Sequence, residues 1–163
     1  ACNGLADLSR READIAIRNA PTTQPDLIAR KLRDDRAGFY AAPGYLQSQG
    51  EPTRATAAGA RFVGFANRDI LARGLAGLGL GVTWGNFPVT SDSHLVQWEL
   101  VKQGVGIGVI TEAVGDAEPR VRRVLRDVGP ITFPMWLVTH REVHTSRRVR
   151  AVFDFLAAAL SAP

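Results

Sequence analysis

A single cysteine, Cys2, leaves this 163-residue chain without an internal disulfide, which points to a reducing compartment or to indifference about redox state. Apolar runs are short. None approaches the roughly 20 residues that a membrane-spanning helix needs, so no membrane contact is expected. The opening residues carry no positively charged segment followed by an apolar core, so no export signal is visible. Repeats and low-complexity tracts are missing too. A concentrated basic tail is also lacking: the net charge is +4 and the pI near 10.0 reflects arginine excess over carboxylates, a weak argument for nucleic acid.

Catalytic and metal-binding patterns are equally scarce. Gly104, Gly106 and Gly108 spell GxGxG, but the run follows a helical pattern and enters a strand pattern, the reverse of a phosphate loop, so close packing of a buried strand explains it better. His140, Glu142 and His144 spell HxExH and not the HExxH of a zinc hydrolase. Ser91, Ser93 and His94 lack a GxSxG turn and an orienting carboxylate, so helix capping is the better reading of the serines. No metal, no cofactor and no catalytic group is expected.

What is present is organised around residues 87–113. Residues 87–90 are a short apolar strand pattern, and Ser91, Asp92 and Ser93 supply oxygens able to cap a helix. Residues 94–103 carry apolar side chains at helical spacing: Leu95, Trp98 and Val101 in three-residue steps, Val96 and Leu100 four apart. Glu99 and Lys102 mark the wet side. Gly104 ends the helix, and VGIGVI (105–110) suits a strand buried on both faces. Strand, helix and strand make a βαβ unit, in which ligands gather where strands end and helices begin. That edge is Thr90, Ser91, Asp92 and Ser93, with Ile110 and Thr111 beside it.

In chain order, residues 5–12 read as a short helix capped by Asn3, and 13–18 as a strand. Pro21 and Pro25 make 19–26 a loop. Strands are expected at 27–32 and 38–42, separated by a charged turn, Arg33, Asp34, Asp35 and Arg36. Pro43 and Gly44 break the second strand, and 45–49 is at most a short helix. Residues 50–59 are irregular and 61–65 form a strand. Five glycines between 74 and 85 make 66–86 a mixture of loop and short elements. A turn at 114–119 precedes an arginine-flanked strand at 121–125. Pro130 and Pro134 bracket a crossing segment, and 135–139 is a buried strand. Val149, Val152, Phe153, Leu156 and Leu160 form the apolar stripe of a last helix. Alternating strands and helices predict an α/β protein with mainly parallel sheets. Arg120, Arg122, Arg123 and Arg126 read as a solvated strand face.

The segments LADLSRREADIAIR (5–18), LIARKL (27–32), FYAAPGYL (39–46), VKQGVGIGVITEAV (101–114), PMWLVTHRE (134–142) and RRVRAVFDFLAAAL (147–160) resemble, in order and spacing, the effector-binding domain of LysR-type transcriptional regulators. The resemblance covers nearly the whole chain. It implies a periplasmic-binding-protein-like (type 2) α/β fold: two Rossmann-like subdomains joined by two crossover segments, the first comprising 1–44 plus 131–163 and the second 45–130. The family's winged helix-turn-helix and linker helix, and the first strand and helix of its effector domain, have no counterpart here, so an N-terminally truncated domain is expected.

By the resemblance, a small-molecule effector sits between the subdomains. Family contacts fall on Cys2 and Asn3 with Ala1, and on Phe65 and Asn67 with Ala66. Arg18, Ser91, Asp92, Ser93, Ile110 and Thr111 join them by position. Arg18 reads either as an exposed ion-pair residue or as an anion anchor. Free backbone donors at the helix start suit a carboxylate or aromatic acid, although Asp92 opposes it. Trp98 is either a core residue or part of a dimer interface. The expected protein is a cytoplasmic, non-enzymatic sensor that forms a dimer or tetramer and reaches DNA only through the missing N-terminal domain. A transporter's solute-binding receptor and an enzyme on the same two-lobe scaffold are the competing readings.

Overall fold

The structure is a computed structural model that describes residues 7, 8, 10–65 and 68–161. It divides into two compact units. One is Arg36–Ile131, and the other is drawn from Leu5–Asp35 and Thr132–Pro163.

In the second unit, β1 (Ile15–Arg18) runs antiparallel to β7 (Ile131–His140), with Ile15 opposite Thr139 and Arg18 opposite Trp136. The first part of β2 (Leu27–Ala41) flanks the other side of β7. Leu137, Val138 and Thr139 are fully buried because both faces are covered. Leu137 packs on Phe153 and Ala157 of α6 (Arg147–Ser161), and Val138 on Leu8 and Leu27. Val152, expected in the apolar stripe of α6, is 50 % exposed; the buried seam runs through Phe153, which was expected there, and Ala157, which was not. α5 (Arg141–His144) is a single turn between β7 and α6.

Pro134 sits inside β7 and does not bracket a separate segment. The pairing with β1 covers only Trp136 to Thr139, so no ladder hydrogen bond to β1 is asked of Pro134. The described part of the helix expected at 5–12 is a turn: Arg11 N–H donates to Leu8 O and Glu12 N–H to Asp7 O, with Arg11 at φ 58°. The side chains of Asp7 and Glu12 accept from Arg10 N–H and Asp7 N–H and so compete with helical bonding.

β2 replaces the two strands and charged turn expected at 27–42. Its charges are held along extended backbone, Lys31 to Asp34 at 2.8 Å, Arg33 to Asp35 at 3.5 Å and Arg36 to Glu112 at 3.3 Å. Residues two apart share a strand face, so Arg33 and Asp35 need no turn to meet.

In the first unit, the end of β2 lies between β5 (Gly108–Thr111) and β6 (Arg122–Val124), antiparallel to both. β3 (Val63–Gly64) pairs in parallel with β4 (Val89–Thr90), and Phe62 makes a parallel bridge to Ile107 at the approach to β5. The strand–helix–strand pattern of 87–113 is present, with α3 (His94–Lys102) as the helix, but β3 is inserted between the two strands. The pairings are therefore mixed and not mainly parallel, because β2 enters opposite to β5. Phe39, Phe62, Leu75, Leu80 and Ile107 form the larger core cluster; Tyr40, Val63, Val101 and Val121 form another.

α1 (Pro43–Gln49) begins at the proline that ends β2, as the fixed φ of a first-turn proline favours. α2 (Arg68–Gly77) is a ten-residue helix where a mixture of loop and short elements is expected from the sequence. Gly74 has open space around it while Leu75 is buried at 1 % exposure, so packing offsets the roughly 1 kcal/mol a helical glycine costs. α4 (Glu112–Ala117) replaces the turn expected at 114–119; Gly115 lies so close to the Tyr40 ring that a Cβ would run into it.

Candidate functional site

Because β3, β4 and the approach to β5 are parallel, their carboxyl ends lie on one edge of the first unit. Such an edge is where α/β sheets bind ligands. Phe65 follows β3, Ser91 follows β4, and Ile110 and Thr111 close β5. Ser91 N–H donates to Gly64 O at 3.0 Å, tying the second end to the first. Ser91 Oγ accepts from Ser93 N–H at 3.2 Å, and the buried Gln97 donates its Nε2 to Ser91 O at 2.6 Å.

Ser93 is the N-cap of α3, with φ −105° and ψ 115°, yet its hydroxyl makes no capping hydrogen bond. The serine capping expected from the sequence is therefore not made: the Ser91 hydroxyl closes a turn onto the Ser93 amide ahead of the helix and reaches none of its first-turn donors. The first turn of α3 keeps amide donors that no side-chain cap takes up. Asp92 is exposed between the two serines.

His94 opens the helix and stands edge-on to Phe65, ring centroids 4.9 Å apart and planes at 88°. Partial desolvation lowers its imidazole pKa below the ordinary 6.5 and so favours the neutral ring, although the residue stays solvent-exposed. His94 and Ile110 also line a water-sized space of about 10 Å³ with Gln97 and Trp98. The structure thus gathers Phe65, Ser91, Ser93, His94 and Ile110, with Thr111 next in the strand and paired to Ala37. His94 and Gln97 are the members not assigned from sequence as ligand contacts. No local pattern marks them, since the packing of Phe65 on His94 joins segments 29 residues apart.

Arg18 lies in the other unit, at the end of β1 opposite Trp136. Beside it, Trp136 Nε1 is buried with no hydrogen-bond partner among the described residues. Cys2, Asn3 and Asn67, with Ala1 and Ala66, lie outside the described residues.

The other singled-out features resolve into structure. A Cβ at residue 106 would lie 2.8 Å from Arg61 O, and one at 108 would collide with Val101 Cγ2, so Gly106 and Gly108 are demanded by packing. Gly104 is required instead by its backbone, at φ 79°, a conformation that glycine adopts without strain. His140 Nδ1 accepts from Glu142 N–H, while His144 packs on Phe153 at 5.2 Å. Among the described residues, no three His, Cys, Asp or Glu side chains are grouped as metal ligands, and no helix is long and apolar enough to cross a membrane. Trp98 packs edge-on to Tyr40 at 6.2 Å, contributing to the core. Lys102, expected on the wet side, has a side chain only 12 % exposed and pairs with Glu99 at 2.6 Å. The arginine-rich stretch is not a uniformly solvated face: Arg120 pairs with Glu118 at 2.9 Å, holding that carboxyl at about 2, and Arg123 is partly buried.

The family model described as LysR substrate binding domain matches residues 2–161. The regulatory domain of CrgA, a LysR-type transcriptional regulator from Neisseria meningitidis, is 26% identical with a TM-score of 0.78, over 94% of this chain and 78% of that one. A second CrgA structure gives 25% identity and a TM-score of 0.79, over 95% of this chain and 55% of that one. Full-length AphB of Vibrio cholerae, a virulence activator, gives 21% identity and a TM-score of 0.70, over 97% and 56%. The chain therefore spans little more than half the length of these two longer proteins. A comparison with curated proteins found no match.

Proposed function

This chain belongs to the LysR substrate-binding domain family, and from that premise we propose that it is the effector-sensing part of a bacterial LysR-type transcriptional regulator. In this reading it binds a small organic acid at the strand-end edge built from Phe65, Ser91, Ser93, His94 and Ile110, and it catalyses no reaction. The observation that carries the proposal is the convergence of three strand ends on the uncapped first turn of α3. A helix start favours negative charge, and the neutral His94 with the Phe65 ring adds an apolar wall suited to an aromatic acid. Asp92 offsets part of that field, so recognition rests on directed amide donors more than on net charge.

Effector binding would act by favouring one conformation of the regulator through differential affinity. DNA contact would come from a DNA-binding segment of the longer regulator, acting in the cytoplasm as a dimer or tetramer. Leu95 and Val96, 73 % and 48 % exposed on α3, support a partner surface beside the edge. The family match favours a regulator over a transporter's solute receptor.

Titration calorimetry of the full chain with benzoate and succinate tests the site. Binding of one acid, weakened at least tenfold by Phe65→Ala, is the expected result. Binding of neither, or binding indifferent to that substitution, contradicts the site.

A further inference from the structure

A second pocket, of about 500 Å³, lies wholly within the Arg36–Ile131 unit and contains none of the strand-end residues named above. Its size falls in the range of small-molecule sites, about 300–1,000 Å³. Glu112 and Asp116 face it from α4, four residues apart and hence on one helix face. Arg36 enters from β2, Arg123 from β6, and Arg126 from the loop after it. Three arginines against two carboxylates leave one net positive charge.

The internal pairing is specific. Arg123 donates Nη1 to Glu112 Oε1 at 2.8 Å, and Nη2 to Asp116 Oδ2 at 2.7 Å and to the Tyr40 hydroxyl at 3.1 Å. Tyr40 in turn donates to Asp116 Oδ1 at 2.7 Å, and Arg36 Nε pairs with Glu112 Oε2 at 3.3 Å. Arg126 makes no hydrogen bond or ion pair among the described residues, although it lies near enough for its charge to help lower the Asp116 pKa, after the Tyr40 and Arg123 hydrogen bonds. The uncommitted guanidinium attracts an anion, while the Asp116 carboxylate retains acceptor capacity on each oxygen and repels a ligand that brings only acceptors.

We propose that this pocket is a second ligand site, taking a small anion that carries its own O–H donor, as hydrogen phosphate and hydroxycarboxylates do. The anionic oxygens accept from Arg126, and the ligand hydroxyl donates to Asp116. Sulfate and acetate satisfy only the first contact.

The test is calorimetric titration of the full chain, at constant ionic strength and neutral pH, with inorganic phosphate, lactate, sulfate and acetate. Phosphate or lactate is expected to bind at least tenfold more tightly than its partner anion lacking the hydroxyl, and which of the two binds separates a phosphoryl from a hydroxyacid ligand. Arg126→Ala weakens that binding at least tenfold, and Asp116→Asn, which can donate to an acceptor-only anion, reduces the discrimination. Arg122→Ala, an exposed change on β6, and Phe65→Ala leave it unaltered. No binding of phosphate or lactate at about 10 mM, binding of whichever does bind no tighter than that of its partner anion lacking the hydroxyl, or indifference to Arg126→Ala overturns the proposal.

Discussion

The His94 ring stands edge-on to Phe65 with centroids 4.9 Å apart, joining the start of α3 to the end of β3. Desolvation there lowers the imidazole pKa from 6.5. A histidine depressed in the folded state contributes stability that is present above its unfolded pKa and is lost as pH falls through the folded one. Urea unfolding midpoints of the full chain should therefore fall below about pH 6.5. His94→Gln should flatten the part of that slope due to this residue; an unchanged slope contradicts the assignment.

Tyr40 is fully buried, and desolvation, followed by its hydrogen bond to Asp116, pushes its phenol up to about 12 from 10.0. The sign is opposite to that of His94. Stability from the neutral phenol is present below pH 10 and lost as pH rises through about 12. Tyr40→Phe should remove that alkaline loss and, by deleting two hydrogen bonds, cost about 1–2 kcal/mol at neutral pH. The phenolate absorbance difference between wild type and variant should have its midpoint near 12; a midpoint at 10 contradicts the burial argument.

Gly108 leaves no room for a Cβ beside Val101 Cγ2. Gly108→Ala should cost about 1–3 kcal/mol through overpacking, read as a lower denaturation midpoint at constant slope. Adding Val101→Ala should recover part of the loss, with a coupling of at least about 0.5 kcal/mol. Strict additivity rules out this contact as the cause.

The Gln97 amide satisfies Ser91 O from a buried position. Gln97→Leu leaves that carbonyl without the partner, at a cost of about 1–3 kcal/mol, and loosens the turn before α3. Hydrogen exchange at the Ser91 and Ser93 amides should speed up more than exchange across α6.

The sequence made α3 legible because capping residues, helical spacing and a terminal glycine agree over 91–104. It hid α2, whose Gly74 and Gly77 weaken the helical pattern in sequence but border open space, while Leu75 between them is buried. It also hid the unity of β2: Arg33, Asp34, Asp35 and Arg36 look like a turn until their ion pairs along the extended strand are seen. At the site, the strand ends were legible from Thr90, Ser91, Ile110 and Thr111, since a strand–helix junction is a local pattern. The Phe65–His94 contact and the Arg123–Glu112–Asp116 network were not, because each depends on pairing between distant segments. Arg123 resembled its solvated neighbours in sequence and differs from them only in what β6 sets it against.

The most direct test of the central claim is amide chemical-shift mapping of the full chain during titration with benzoate and succinate. The effector-site account predicts saturable shifts concentrated on Phe65, Ser91, Ser93, His94 and Ile110, smaller in Phe65→Ala at the same ligand concentration. Saturable shifts confined to other residues, or no saturable shift with either acid, would contradict it.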